Sequence, residues 1–247
     1  TGTLISDNVV LTCAHNLLDY NEDTLKIIEE YSPVQFIIQS NDGEAIYESS
    51  IKKSYYCKDF PKNENEDYAI VILNKNIGIY CGYMGLIYDY YLLAGTEYQL
   101  YGFSMSKQKK QEEKQEKNQE KKQDNKMELK GMATTFQSNN IKKNIWKSKE
   151  NDLIQYDGID TMSGQSGSGV WFKEGLNKYY IIGIHINGVK YHNEAVLITK
   201  KRFDVIKQFI IDSKVDTLIL SKSCLLDLSG NKIGENGVKY LIECKHL

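Results

Sequence analysis

An all-β barrel or sandwich closed by a single helix is what this sequence predicts, on three observations. Short β-prone runs recur along most of the chain, separated by turns rich in Gly, Asn and Asp. A helical period sets in over Lys200 to Ser213, where Phe203, Ile206, Phe209 and Ile210 fall on one face. Apolar residues make up 41% of the 247, enough for a substantial core, and that length holds one large all-β domain or two ordinary ones.

The elements follow in order. Thr3-Leu4-Ile5-Ser6 reads as a strand, Asp7-Asn8 as a tight turn, and Val9 to Cys13 as a second, β-branched strand ending near His15. Val34 to Ile38 and Ala45-Ile46-Tyr47 flank the turn Ser40-Asn41-Asp42-Gly43 and form a hairpin pattern. Ala69 to Leu73 is an apolar strand that follows the acidic run Asn63 to Asp67. Tyr98 to Phe103 is a strand leading into Lys107 to Lys126, which holds eight lysines, five acids and no apolar residue. Such a segment cannot bury anything and is expected to be a disordered or frayed-helical loop insertion. Pattern resumes at Met127 to Gly131, and Leu153 to Tyr156, Val170-Trp171, Tyr179 to His185 and Ala195 to Thr199 are further strands.

Three polar residues stand out against this frame. His15 sits at the end of a strand expected to be buried, in Leu11-Thr12-Cys13-Ala14-His15. Asp67 abuts the apolar strand Ala69 to Leu73, where a half-buried carboxylate is costly unless paired, for instance with an imidazole N–H. Ser166 lies in Gly164-Gln165-Ser166-Gly167-Ser168-Gly169, whose glycines let the backbone turn sharply and bring N–H groups close to a bound carbonyl. Taken singly, these read as a core histidine, a turn aspartate and a Gly/Ser loop. Together they are a candidate nucleophile, base and orienter.

Composition excludes several classes. A net charge of −2 argues against a nucleic-acid partner. No apolar run approaches the roughly 18 residues that span a bilayer, so no membrane partner is expected. The five cysteines, Cys13, Cys57, Cys81, Cys224 and Cys244, match no zinc or disulfide spacing and read as scattered thiols, with a Cys57–Cys81 pair left open. The histidines His15, His185, His192 and His246 form no i,i+4 metal pair, and no metal or cofactor is expected. The chain starts at Thr1 and not at a methionine, so its N-terminus is read as processed or incomplete and its silence on targeting carries no weight.

The order His15, Asp67, Ser166 and the local contexts resemble the chymotrypsin-like serine proteases over roughly Thr1 to Ser213. In that family the histidine sits in a Thr-Ala-Ala-His-like segment, and the aspartate opens a strand of the type Asp67-Tyr68-Ala69-Ile70-Val71. The resemblance implies two six-stranded antiparallel β-barrels with a C-terminal helix, and an endopeptidase acting on peptide or protein substrates. It implies His15 as general base, Asp67 as its orienter, Ser166 as nucleophile, and the N–H groups of Gly164 and Ser166 as the oxyanion hole. It also implies a secreted or vacuolar location.

Within that family the likeness is closer to the glutamyl endopeptidase branch. That branch carries a Gly-Asn/Gln-Ser-Gly-Ser turn and a Gly-Ile-His segment, here Gly164 to Ser168 and Gly183-Ile184-His185. There a threonine five residues before the serine and the histidine of that segment bind the P1 glutamate; Thr161 and His185 match. Gly169 departs from the branch, which has proline there. Asp160, six residues before Ser166, keeps a trypsin-like Lys/Arg preference open. A glutamate-directed enzyme would find sites in its own insertion at Glu112, Glu113, Glu116 and Glu120.

Beyond Ser213 the pattern changes. Leu226-Asp227-Leu228-Ser229-Gly230-Asn231-Lys232-Ile233 resembles a leucine-rich repeat of the ribonuclease-inhibitor type, although Ser223 stands in place of the first leucine. A partial repeat over 214–247 implies further repeats or packing on the protease-like domain, since about three are needed to bury such a face, and it admits a protein partner. It also keeps open a second function class, a catalytically silent protease-like barrel that binds a partner.

Overall fold

The computed structural model describes residues 1–30, 35–39, 45–89, 96–104, 132–136, 145–148, 151–157, 159, 161–176, 178–189 and 191–213. The repeat-like segment 214–247, the charged insertion 107–126 and Asp160 lie outside the described residues. In chain order the elements are β1 (Thr3–Leu4), β2 (Val9–Thr12), β3 (Leu18–Asn21), β4 (Lys26–Glu30), β5 (Gln35–Gln39), β6 (Ala45–Tyr56), β7 (Ala69–Leu73), α1 (Gly78–Cys81) and β8 (Gly85–Leu86). They continue with β9 (Tyr98–Ser104), β10 (Met132–Phe136), β11 (Ile145–Lys147), β12 (Leu153–Tyr156), β13 (Gly169–Glu174), β14 (Lys178–Gly188), β15 (Asn193–Leu197) and α2 (Lys200–Asp212).

The first sheet has the order β1-β2-β7-β6-β5 and the second the order β10-β9-β13-β14-β15-β12-β11, with β8 pairing β14 off that path. β3 and β4 form a separate two-stranded ribbon that the sequence reading missed. The expected two six-stranded barrels therefore become, among the described residues, one five-stranded and one eight-stranded curled sheet plus that ribbon. The reason is that the β3–β4 ladder pairs only with itself, while the second half gains β8 and the β11–β12 hairpin.

Alternation along the strands builds three layers of core. In β7, Ile70 and Ile72 pack between the two sheets with Val9, Leu11, Ile181 and Val196, whereas Ala69, Val71 and Leu73 face the interior of the first sheet with Val10 and Leu17. Both faces of β7 are thus buried, which is why it reads as an unbroken apolar run rather than as an alternating one. Burying each large aliphatic side chain stabilises the fold by about 1.5–3 kcal/mol. The third layer, inside the second sheet, holds Ile154, Tyr156, Tyr180 and Ile182.

α2 starts where Thr199 accepts the Arg202 N–H at its side-chain oxygen. Phe203, Ile206 and Ile210 enter the layer between the sheets, and Phe209 stacks on Tyr55 at 5.6 Å. The helical face is therefore the one that the periodicity predicts. Among the described residues no helix is long and apolar enough to cross a membrane. Cys57 and Cys81 are not bridged: Cys57 is buried, and Cys81 is exposed with its thiol donating to the Ile77 carbonyl.

Candidate active site

Strand register brings His15 and Asp67 to one place. β2 and β7 are antiparallel with Thr12 opposite Ala69, so the chain leaving β2 and the chain entering β7 lie at the same end of the pair. His15 sits there in a short 3-10 turn (Ala14–Asn16), and Asp67 ends another (Glu64–Glu66). The His15 Nδ1 is 2.5 Å from Asp67 Oδ2, and the His15 backbone N–H donates to Asp67 Oδ1 at 3.0 Å. Asp67 is 5% exposed, more deeply buried than a half-buried junction residue, and its two oxygens are matched by those two donors.

Ser166 reaches this end from the second sheet, in the turn that precedes β13. Gly164 and Gly167 have φ of 97° and 93°, the left-handed region in which glycine is strain-free. A Cβ at Gly167 would collide with the Thr1 carbonyl and the Thr12 hydroxyl. The turn is pinned from both sides: Asn16 Nδ2 donates to the Ser166 carbonyl at 2.9 Å, Gly167 N–H to the His185 carbonyl at 2.8 Å, and Gly169 N–H to Thr3 Oγ1 at 3.0 Å. Asn16, next to His15, thus ties Ser166 to the histidine turn. The Ser166 hydroxyl itself donates to the Ile186 carbonyl at 3.0 Å and makes no hydrogen bond to His15. Among the described residues the backbone N–H groups of Gly164 and Ser166 donate to no backbone carbonyl.

Of the residues expected to contact P1, His185 lies on the β14–β15 ladder and Thr161 is bonded to it through Asn193. His185 pairs with Ala195 and Gly188 with Asn193, and a bulge between His185 and Asn187 inserts one residue. His185 and Gly188, three residues apart, therefore face the same side as Asn193 and Ala195. Thr161 Oγ1 donates to Asn193 Oδ1 at 2.5 Å, and a Cβ at Gly188 would lie 2.9 Å from Thr161 Oγ1. The structure thus brings Thr161 and His185 to one face, and Asp160 lies outside the described residues.

His185 departs from expectation in its electrostatics. A neutral-to-cationic imidazole suits a carboxylate, but here the ring is 2% exposed and burial pushes it down to about 4, against a smaller opposite pull from the Glu194 carbonyl. Its Nδ1 is 2.6 Å from the Tyr156 hydroxyl, which is itself buried and pushed well above its usual range by desolvation. At neutral pH His185 is an uncharged ring.

Tyr156, Asn193 and Asn16, which bond to candidate site residues, and Arg202, which bonds to Glu66 beside Asp67, were missed by the sequence reading. Arg202 is 3% exposed in the first turn of α2; its guanidinium donates to the carbonyls of Asn65, Asp152 and Leu197 at 2.7–2.8 Å and to Glu66 at 3.4 Å. It joins the residue before Asp67 to the second sheet. The one available signal was a cation at a helix N-terminus, where the helix dipole disfavours it unless an anion compensates.

Cys13, His15 and Asp67 present ligand atoms within 4.8 Å of one another. The Cys13 thiol is raised well above its usual value, by burial first and then by Asp67, and it donates to the His185 carbonyl at 3.0 Å. A protonated thiol and a carboxylate already bonded to the imidazole form a hydrogen-bond network rather than a ready metal cage.

No protein-family model matches the chain, and no curated protein matches it in sequence. Solved structures do resemble it. A Glu endopeptidase in complex with MPD is 21% identical with a TM-score of 0.59, over 84% of this chain and 83% of that one. A thermostable serine protease from an extremophilic microorganism is 12% identical with a TM-score of 0.53, over 84% and 89%. A scabies mite inactivated protease paralogue is 14% identical with a TM-score of 0.51, over 86% and 87%. At such identities the likeness speaks for architecture: the chain has the chymotrypsin-like double β-barrel fold.

Proposed function

We propose that the protein is a serine endopeptidase. The observation that carries this reading is the buried Asp67 carboxylate bonded to both the ring and the backbone of His15, beside a serine held in a glycine turn. Ser166 Oγ attacks the scissile carbonyl carbon while His15 Nε2 takes its proton. Asp67 fixes the tautomer in which Nδ1 carries hydrogen and stabilises the imidazolium. The oxyanion settles against the N–H groups of Gly164 and Ser166, where one donor is worth roughly 10²–10³ in rate. His15 then protonates the departing amine, and water, activated by the same ring, frees the acyl group. For this the serine hydroxyl must rotate from the Ile186 carbonyl toward His15, a tightening common when substrate fills an empty site.

For P1 the resemblance points to glutamate, or aspartate, bound by Thr161 and His185. The common face of Thr161, Gly188, His185 and Asn193 supports a small polar pocket. A Lys/Arg preference would rest on Asp160.

A second reading, a silent barrel that binds a partner, is favoured by one observation: the Ser166 hydroxyl is engaged with Ile186 and not with His15. A serine-directed covalent probe separates the two. Labelling of the wild type but not of Ser166→Ala supports the enzyme; absence of labelling and of peptide turnover removes it.

A further inference from the structure

We infer that Asn16 is a positioning residue that sets the gap between nucleophile and base: its side-chain amide holds the Ser166 backbone in register with the turn that carries His15. The inference rests on the endopeptidase reading and adds to it a residue that touches neither substrate nor the reacting atoms.

Asn16 follows His15 in the same short 3-10 turn, so its side chain is anchored one residue from the base. Its Nδ2 donates to the Ser166 carbonyl at 2.9 Å and to Thr12 Oγ1 at 3.0 Å, with the Thr1 carbonyl farther off at 3.4 Å. The Thr12 hydroxyl gives its one hydrogen to the Thr1 carbonyl at 2.6 Å, so it meets Asn16 as an acceptor. Every partner at this end of the amide accepts, which places the nitrogen there and engages both of its hydrogens. An amide held by two such bonds has its plane fixed.

The bond to Ser166 acts on a rigid unit. The Ser166 carbonyl and the Gly167 N–H belong to one planar peptide group. Its N–H donates to the His185 carbonyl, in β14, at 2.8 Å, and its C=O accepts from Asn16, in the turn after β2. The group is thus gripped from both halves of the fold. The Thr1 nitrogen also donates to the Ser166 carbonyl, at 2.9 Å, but it donates to the Gly164 carbonyl as well, at 3.1 Å. That contact closes the serine turn on itself, whereas Asn16 refers the turn to His15. Gly167 is fitted to the same approach, since a Cβ there would lie 2.9 Å from Asn16 Nδ2.

The placement matters because Ser166 Oγ rests on the Ile186 carbonyl and has to swing to His15. Rotation about Cα–Cβ carries the oxygen round a fixed circle, and the backbone decides where that circle lies. Whether Oγ arrives within hydrogen-bond reach of His15 Nε2 therefore depends on where the 166–167 peptide group sits relative to the histidine turn. Loss of the Asn16 bond frees that group to shift by a fraction of an ångström, which lowers the rate of attack and leaves substrate binding alone.

The test compares the full-length wild type with Asn16→Asp, which keeps the shape but removes both hydrogens. Asn16→Ala is the second variant should a carboxylate facing two oxygens prevent folding. Peptide turnover and the rate of labelling by diisopropyl fluorophosphate are measured well below the unfolding midpoint of each protein. Both rates are expected to fall together by roughly 10–100-fold. KM is expected to stay within about threefold, and the proton resonance of the His15 Nδ1–Asp67 bond to stay in place. A merely structural asparagine would lower the unfolding midpoint and leave kcat of the folded protein unchanged; that result overturns the proposal. So does a rise in KM at constant kcat, or loss of the His15 Nδ1 resonance, which would put the defect in the base and not in the placement of the serine. A wild type that neither cuts peptides nor takes up the probe removes the endopeptidase reading and this role with it, whereas an active wild type with equally active variants removes the role alone.

Discussion

His15 and Asp67 meet twice, through the ring Nδ1 at 2.5 Å from one carboxylate oxygen and through the His15 backbone N–H at 3.0 Å from the other. The backbone bond holds the carboxylate in position, and the ring bond selects the tautomer that leaves Nε2 free. Asp67→Asn keeps the first contact through its amide oxygen but turns an NH₂ toward Nδ1. The ring must then present its lone pair to Asn and its hydrogen to Ser166, which disables it as a base. The expected loss is roughly 10⁴-fold in kcat with the fold retained. Peptide turnover and thermal unfolding of the variant check both halves; a loss under tenfold would falsify the role of Asp67.

Gly167 tests the turn itself. At φ of 93° an L side chain is strained, and a Cβ there strikes Thr1, which precedes β1, and Thr12, in β2. Gly167→Ala is expected to lower stability by about 1–3 kcal/mol and to displace Ser166 with it. A 1 Å misplacement costs on the order of 10²-fold in rate. Denaturant unfolding and serine-probe labelling rates should therefore both fall. Unchanged labelling would mean that the turn is not what positions the serine.

How much of this was legible in the sequence follows from whether a signal is local. His15, Asp67 and Ser166 each announce themselves by a short context: a strand end, a carboxylate against an apolar run, a glycine turn. β7 is legible as an unbroken apolar run because both its faces are buried, and the apolar face of α2 because one-sided burial imposes a helical period. Tyr156 and Asn193 carry no such mark. Their roles arise from β12, β14 and β15 lying side by side, with Tyr156 opposite Asn193 and Asn193 opposite Gly188. The neutral state of His185 is likewise invisible locally, because it comes from burial among residues distant in the chain. β3 and β4 were missed because they are short and partly charged, with β3 only partly buried and β4 exposed throughout, so neither a buried run nor clean alternation marks them.

Arg202 and Glu66 give a stability prediction. Both are nearly fully buried, so removing one charge leaves the other uncompensated. Arg202→Met alone is expected to destabilise by about 3–5 kcal/mol. Adding Glu66→Gln should recover a substantial part of that loss, because it removes the orphaned carboxylate that Lys201, 3.7 Å away but largely exposed, neutralises only weakly. Denaturant unfolding of the two single variants and the double variant measures the coupling. Strict additivity would show that the pair is not energetically linked.

His185 sets a pH dependence whose sign is fixed by burial. Its folded-state value lies near 4 and its unfolded value near 6.5. Above pH 6.5 neither state is protonated and the ring has no effect. As pH falls from 6.5 to 4, the unfolded chain takes up a proton that the folded one refuses, so stability is progressively lost. The displacement corresponds to about 3 kcal/mol once pH is below 4, where both states are protonated and the loss levels off. His185→Gln removes this term while leaving the other titrating groups in place. Unfolding free energies of wild type and variant, compared at pH 7 and pH 4.5, should show the steeper decline in the wild type. Parallel declines would mean that His185 is not held neutral by the fold.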